Sequence, residues 1–581
     1  MTSIKGLKKI ALVGGGPAAL YLYKYLCETG IEELEITIFE KNAQLGAGMP
    51  YSYDGARIEH ITNVSDNEIP ELVTPIKEWI RTASPELLQR FDMNPAIFDV
   101  YKVVPRLLFG IYLEDQFSLL QDAALKKGII TINILNTLVK DIVDNPSAEQ
   151  VTVLTSMNIT YTFNTVIICT GHHWPREKEL TCVNWYDSPY PPDKLAQRIN
   201  FPVAIRGSAL TAIDAVRTLA RGNGIFLKNE DNSLAYQLSK NSSDFRLVLH
   251  SIGGMLPSIR FHVEYPQASP GDMITEDEAY KIKSSNNGFI PLDMIFERNF
   301  LQPLRQQDDA FYEKVKDLTL EEFVDYMMTF RKNIDAFQLF KAEYKEAEKS
   351  IRRHQSIAWK ERLSALSYAM NYPAKHLAAE DMIRLKEILM PLISIVIAFV
   401  PQSSCRELIA LHEAGILTLI SVDRQSKVRP MEKGGAMYIY TDETGAKHET
   451  YYRMFVEAIG QPHFMIDNFP FNGLNEKGTV SGAYLYFKEK ENALAELAAG
   501  NNLVKVDNAG MYYLTVPGIS INDHFQVLDK FGSYNHRVYM MAVPHIGGLN
   551  PDYSGLDFCE TAAKRIANAI RDHNRHFSVK L

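Results

Sequence analysis

Gly14, Gly16 and Ala19 follow the apolar run Ile10–Val13 at the spacing of a G-x-G-x-x-A turn. Glu40 closes a second apolar run, Ile36–Phe39. A short buried strand, a glycine turn and a helix start suit one task, holding a pyrophosphate. Gly14 permits the tight turn and Gly16 lets the backbone come close to the phosphates. Pro17 and Ala18 open the helix, and Ala19 keeps it near the sheet. Glu40 is placed to accept hydrogen bonds from a ribose diol, with Lys41 beside it. The pattern predicts a dinucleotide site, against the plainer reading of an ordinary strand–turn–helix.

Other segments repeat this logic. Val166–Gly171 is an apolar strand ending in Thr170-Gly171. Phe201–Asp214 is a strand, a second glycine turn (Gly207, Ser208, Ala209) and a helix beginning Leu210-Thr211. Phe455–Gly460 again takes a strand into glycine. This order predicts an α/β chain of two nested Rossmann-like dinucleotide-binding domains, the first interrupted by the second. Between the two halves of the second lies a polar block with apolar residues at three- and four-residue spacing. The expected boundaries are 1–200 and 456–581 for the first domain, 201–289 and 386–455 for the second. A helical insertion is expected at 290–385, with Thr319-Leu-Glu-Glu322 as a capping box.

The remaining features bound the function. A chain of 581 residues exceeds one core, and its formal net charge of −9 argues against a nucleic-acid surface or an anionic membrane. The longest apolar stretch, Ile388–Val400, contains Pro391 and is too short to span a bilayer; it reads as a helix end followed by a core strand. The N-terminus lacks a signal-peptide pattern, so a cytoplasmic location is expected. The five cysteines form no C-x-x-C, which disfavours a dithiol mechanism, and no metal-ligand cluster shows convincing spacing. The segment 229–244 reads as an exposed loop.

The ordered set resembles the two-dinucleotide-binding-domain flavoproteins, within them the FAD/NAD(P)-binding family related to N-hydroxylating and class B-like flavin monooxygenases. The resemblance rests on Gly14–Ala19, Glu40, Gly46-Ala-Gly48 with Met49-Pro-Tyr51, Asn63-Val64, Pro105–Leu113, Thr170-Gly171, Gly207–Asp214 and Gly460. It implies FAD in the first domain, with Gly46 and Gly48 wrapping its adenosine and pyrophosphate side and Asn63 and Val64 near the isoalloxazine. Arg106 lies in an apolar stretch and needs an anion, either the pyrophosphate or a protein carboxylate. Gly547, Gly548 and Gly555 are implied flavin contacts at the C-terminal return. Asn550 or Asp552 stands where many relatives have Gly-Asp. His545 is the one histidine expected to act at the flavin. In the second domain the strand ending at Ser251 has no acid at its tip. His250, Ser251 and Arg260 are therefore expected to meet a 2′-phosphate, favouring NADPH, with NADH possible. The activity implied is NAD(P)H-dependent oxygenation of a small-molecule substrate by molecular oxygen through a C4a-oxygen flavin adduct. A flavin oxidase or dehydrogenase independent of NAD(P)H, and a non-catalytic flavin sensor, are the alternatives.

Overall fold

Short runs of Val, Ile and Leu, buried on both faces, are what central parallel strands require. In the computed structural model, which describes residues 7–231, 233–264, 273–551 and 555–579, they form two such sheets. Lys8–Val13 (β1) leads through Gly14–Gly16 into helix Pro17–Leu26 (α1), then Leu34–Phe39 (β2). Helix Arg106–Lys126 (α2), Ile130–Ile134 (β3) and Thr165–Ile168 (β4) follow. The second sheet begins with Trp185–Tyr186 (β5) and Pro202–Arg206 (β6), then helix Leu210–Asn223 (α3) and Arg246–Ile252 (β7). Leu417–Val422 (β8) and Met454–Glu457 (β9) complete it. The chain then returns to the first sheet with Gln526–Leu528 (β10) and Tyr534–Met540 (β11).

The first sheet has the order β10-β11-β4-β1-β2-β3, and the second β5-β9-β6-β7-β8. Only the β10–β11 pair is antiparallel. The nesting is explicit in the register, where Val538 on β11 lies beside Val166 on β4. Two crossing segments join the sheets, one after β4 and one after β9. They are tied to each other: Trp174 Nε1 donates to the Gly460 carbonyl at 3.1 Å, and His172 hydrogen-bonds Gln461.

Helices fill the stretch from Glu276–Ser285 to Met390–Ile397, including Ala358–Met370 (α4). Thr319 and Glu322 form the expected capping box. Most of the block's apolar face joins the core of the first sheet, while Phe337, Phe340 and Ala347 join that of the second. Two of its helices carry π-turns, Glu297–Leu301 and Leu385–Leu389. The core strand expected before Val400 is absent: Val400 makes one isolated bridge to Ile259 after the helix ends at Ile397. The expected loop at 229–244 contains the strand Leu234–Leu238, whose alternating side chains pair with Gly224–Lys228.

A three-stranded hairpin sheet including Ala436–Thr441 and Lys447–Tyr452 covers the second sheet. His250 is 1 % exposed beneath it, stacked on Tyr438 at 4.0 Å between ring centroids. Burial pulls its imidazole down to about 4, and burial does the same to His463 and His545. These groups are neutral in the folded protein and titrate normally when unfolded, so protons favour the unfolded state. The stability they confer is intact above pH 6.5 and is lost as pH falls toward 4. The paired carboxylates Glu407, held at about 2, and Asp523 fail only at lower pH. His250→Phe, which keeps the stack and removes the titrating group, is expected to flatten this loss. The check is the urea midpoint at pH 7 and pH 5: the variant's midpoint should fall less than the parent's, and an equal fall would remove His250 from the account.

Candidate functional site

Helix α1 starts at Gly16 with no side-chain cap and no acid in its first turn. Its first N–H groups therefore remain as donors. They open onto a cavity of about 140 Å³ lined by Gly14, Gly16, Pro17, Ala18, Gly48 and Gly171, among others. The loop is built for backbone approach. Gly14 has φ +105°, and a Cβ there would stand 2.8 Å from the Cys169 carbonyl oxygen. Gly16 and Gly48 face each other, with a Cβ on Gly16 only 3.3 Å from the Gly48 Cα. An uncapped helix start, glycines and no acidic side chain on the helix make a donor set for a pyrophosphate.

Glu40 stands at the tip of β2, 7 % exposed. Its Oε2 accepts from Gly15 N at 2.8 Å and its Oε1 from Asn42 N at 2.9 Å. These two bonds orient the carboxylate while leaving lone pairs for a diol. Glu40, Lys41, Gly14, Thr170, Gly171 and His172 are shared between the first cavity and a second of about 490 Å³. The second is closed by Thr137–Val139, Phe464, Phe471 and His545. The two chambers thus meet at the β1 and β2 tips, as an extended dinucleotide requires.

Residues 11–173 match the family model described as FAD-NAD(P)-binding. Residues 275–397 match a model described as the YdhS-like middle domain. Among curated proteins, the uncharacterized protein YdhS of Escherichia coli (strain K12) is 26 % identical over 480 residues, covering 82 % of this chain and 87 % of its own. Among solved structures, the bacillithiol disulfide reductase Bdr of Staphylococcus aureus aligns at TM-score 0.43 and 10 % identity, covering 98 % of both chains. The cadaverine monooxygenase DfoA of Erwinia amylovora, bound to FAD, aligns at TM-score 0.42 and 10 % identity, covering 97 % of this chain and 95 % of its own. The FAD-NAD(P)-binding match covers the strand–glycine turn–helix of the first sheet, and the second sheet repeats that arrangement after β6.

Several expected residues lie elsewhere than at these two cavities. Arg106 meets a carboxylate: Nη1 donates to Asp214 Oδ2 at 2.6 Å, and Tyr190 donates to the same oxygen at 2.7 Å. Burial alone would raise the Asp214 carboxyl, but Arg106 overcomes that and holds it low. Because Asp214 sits on α3, this pair joins the two nested domains. Gly46 packs on α2, where a Cβ would lie 2.6 Å from the Leu113 carbonyl oxygen. Gly547 backs onto the His463 ring and Gly548 onto the Pro517 carbonyl, so both are small for packing. Gly555 does line the first cavity, whereas Ala19 is buried behind it against the core. Asn63 and Val64 line neither cavity, and the Asn63 carbonyl accepts from Arg260. His545 lines the second chamber, 5.3 Å from the Phe469 ring, away from the Gly555 wall of the first. Asp552 lies outside the described residues.

The second phosphate loop is differently supported. Ser208 donates to the Met255 carbonyl at 2.7 Å and to Ser251 Oγ at 2.9 Å, pinning the loop after β6 to the end of β7. Ala209 is exposed and caps α3 without a side-chain bond, followed by the half-buried Leu210 and Thr211. Gly207 backs onto Ala458, and Gly460 has open space where a Cβ would stand. The expected 2′-phosphate set does not assemble. His250 is neutral and covered by Tyr438. Arg260 is consumed by Glu68 and by Ser65 Oγ at 2.6 Å. A charged group near the tip of β7 is Glu443, whose Oε1 lies 3.4 Å from a Cβ built on Gly254.

Sequence reasoning missed Thr137–Val139, Phe464 and Phe471, which enclose the second chamber. Their types carry no chemical signal, and they reach the site only through the fold. Cys169 and Cys559 also line the first cavity. Burial raises both thiols, Cys559 to about 12, so neither is a thiolate at neutral pH.

Proposed function

We propose that this chain is an FAD-dependent, NAD(P)H-using oxidoreductase that oxygenates a small molecule. The observation that carries the reading is the pair of uncapped helix starts, at Gly16 and Ala209, on two sheets nested in one chain. When bound, FAD supplies the redox chemistry, accepting hydride and passing reducing equivalents to dioxygen. The chain's own residues bind and shield. The loop Gly14–Gly16 and the start of α1 neutralise the pyrophosphate, and Glu40 holds the adenosine ribose. Met541, Val543, Phe558 and Leu556 give the first cavity an apolar wall that excludes water. The protonated Cys169 and Cys559 thiols speak against a dithiol relay. The Ser208–Ser251 clasp orients the second loop toward a nicotinamide dinucleotide.

Glu443 is proposed to set the choice of reductant, because a carboxylate there repels a 2′-phosphate and welcomes a diol. Glu443→Gln is expected to lower the KM for NADPH about three- to tenfold relative to NADH. An unchanged ratio would remove Glu443 from the ribose site. Arg260→Ala is expected to leave the ratio unchanged.

The reaction type is tested by stoichiometry. The FAD-loaded protein with NADPH and air is expected to release about one peroxide per NADPH without substrate, and less when a panel of small acids, amines and purines includes a substrate. Peroxide formed from a panel member with no NADPH present would instead identify an oxidase.

A further inference from the structure

The turn that follows β7 is gripped from two sides. Gly253 and Gly254 carry the chain round it with φ of +69° and +61°, and two such glycines leave a turn loose unless something holds it. On one side, Ser208 Oγ in the second glycine loop lies 2.7 Å from the Met255 carbonyl oxygen. On the other, the helical block reaches in. Arg331, in the last turn of the helix Leu320–Lys332, donates from Nη2 to the next carbonyl, that of Leu256, at 3.3 Å.

Arg331 is aimed by a buried ion triad. Glu343, on the helix Ala336–Arg353, accepts from Arg331 Nη1 at 2.8 Å and from Lys360 Nζ on α4 at 3.2 Å. The three side chains are 5 %, 9 % and 2 % exposed for Arg331, Glu343 and Lys360. Burial alone would raise the Glu343 carboxyl, but the two cations overcome that and hold it low. Buried ion triads seldom hold helices together better than apolar residues of the same volume. Arg331 Nε is also buried without an acceptor. Among the described residues, the triad makes one hydrogen bond outside the helical block, and it is the bond to Leu256. The contact continues around that bond. Leu256 shares the core of the second sheet with Phe337 and Phe340. A void of about 10 Å³ is all that separates residues 254–256 from Arg331, Phe340 and Glu343. Further along the chain, His262 N donates to Ser350 Oγ, on the same helix as Glu343, at 3.1 Å.

We propose that Arg331 is a positioning residue for the second glycine loop. Through it the helical block holds Met255 and Leu256 where Ser208 needs them, and so gives residues 207–210 their dinucleotide-binding shape. The ligand of that loop rests on the proposed function, whereas the clamp stands on the contacts around Leu256.

Two measurements on the FAD-loaded protein test this. Arg331→Lys keeps a cation opposite Glu343 but loses the planar fork that serves Leu256 as well. Amide hydrogen exchange of residues 207–211 is expected to quicken about three- to tenfold, with exchange in the helix Glu276–Ser285 unchanged. In anaerobic flavin bleaching, the half-saturating concentration of NADH or NADPH is expected to rise about three- to tenfold with little change in the limiting rate. Ser208→Ala should raise it too, and the double variant should be about as impaired as the worse single one, because both changes release the same clamp. Should Arg331→Lys fail to fold, Glu343→Gln, which loosens the fork and keeps its shape, is read in the same way. Unchanged exchange at residues 207–211, unchanged half-saturation, or effects that multiply in the double variant would overturn the proposal. Faster exchange in the variant, with a parent protein that neither dinucleotide bleaches, would uphold the clamp and count against the proposed function instead.

Discussion

Gly16→Val is expected to yield a folded protein that no longer retains FAD. Gly16 has φ −81°, a conformation valine adopts freely, and the nearest atom to a new Cβ is the Gly48 Cα at 3.3 Å. The backbone therefore accommodates the change by a few tenths of an ångström. The valine methyl groups, however, enter the cavity where the helix start faces the pyrophosphate. Loss of close approach to two phosphates should weaken FAD by at least about 100-fold, or about 3 kcal/mol. The flavin absorbance of the purified variant and its circular dichroism check this together. A variant that keeps a full complement of FAD would move the pyrophosphate away from this loop. Gly14→Val is the contrasting case: φ +105° and the Cys169 carbonyl at 2.8 Å predict loss of folding as well.

Arg106→Ala is expected to be the most destabilising single change at the junction of the nested domains. It leaves Asp214 buried with Tyr190 as its partner and removes the charge that keeps the carboxylate low. Stranding a buried charge costs about 3–5 kcal/mol. The neighbouring contacts do not replace it: His60 Nε2 lies 3.1 Å from Thr218 Oγ1, and Thr218 donates to Glu59 at 3.1 Å, but none of these brings a fixed positive charge to Asp214. Denaturant unfolding gives the size of the loss, and Arg106→Ala with Asp214→Asn should recover part of it. If Arg106→Ala alone costs under about 1 kcal/mol, the pair is only a polar contact.

Much of the fold was legible because each nested sheet announces itself locally. Ile10–Val13 with Gly14–Ala19 and Glu40, and Phe201–Ile205 with Gly207–Leu210, carry strand, turn and helix in a dozen residues each. The return of the chain to the first domain was legible in the order of the motifs, but the pairing of β11 with β4 was not, since nothing in Tyr534–Met540 names its neighbour. The contacts that needed long-range packing were not legible. Arg106 left two partners open in the sequence, and the fold brings Asp214 on α3 to it at the start of α2. Arg260 and His250 looked like phosphate ligands by type and position, yet Glu68 and Tyr438, distant in the chain, claimed them. Gly547 and Gly548 carry the glycine pattern of a cofactor loop, but their small size serves the His463 ring and the Pro517 carbonyl.

Anaerobic mixing with a nicotinamide dinucleotide tests the central claim most directly. The purified protein should be yellow with one FAD per chain, and NADH or NADPH should bleach the flavin in a saturable way without oxygen. A protein that carries FAD but is bleached by neither dinucleotide would contradict the assignment of the second nested domain to a reductant, and a colourless protein that takes up no FAD would contradict the account as a whole.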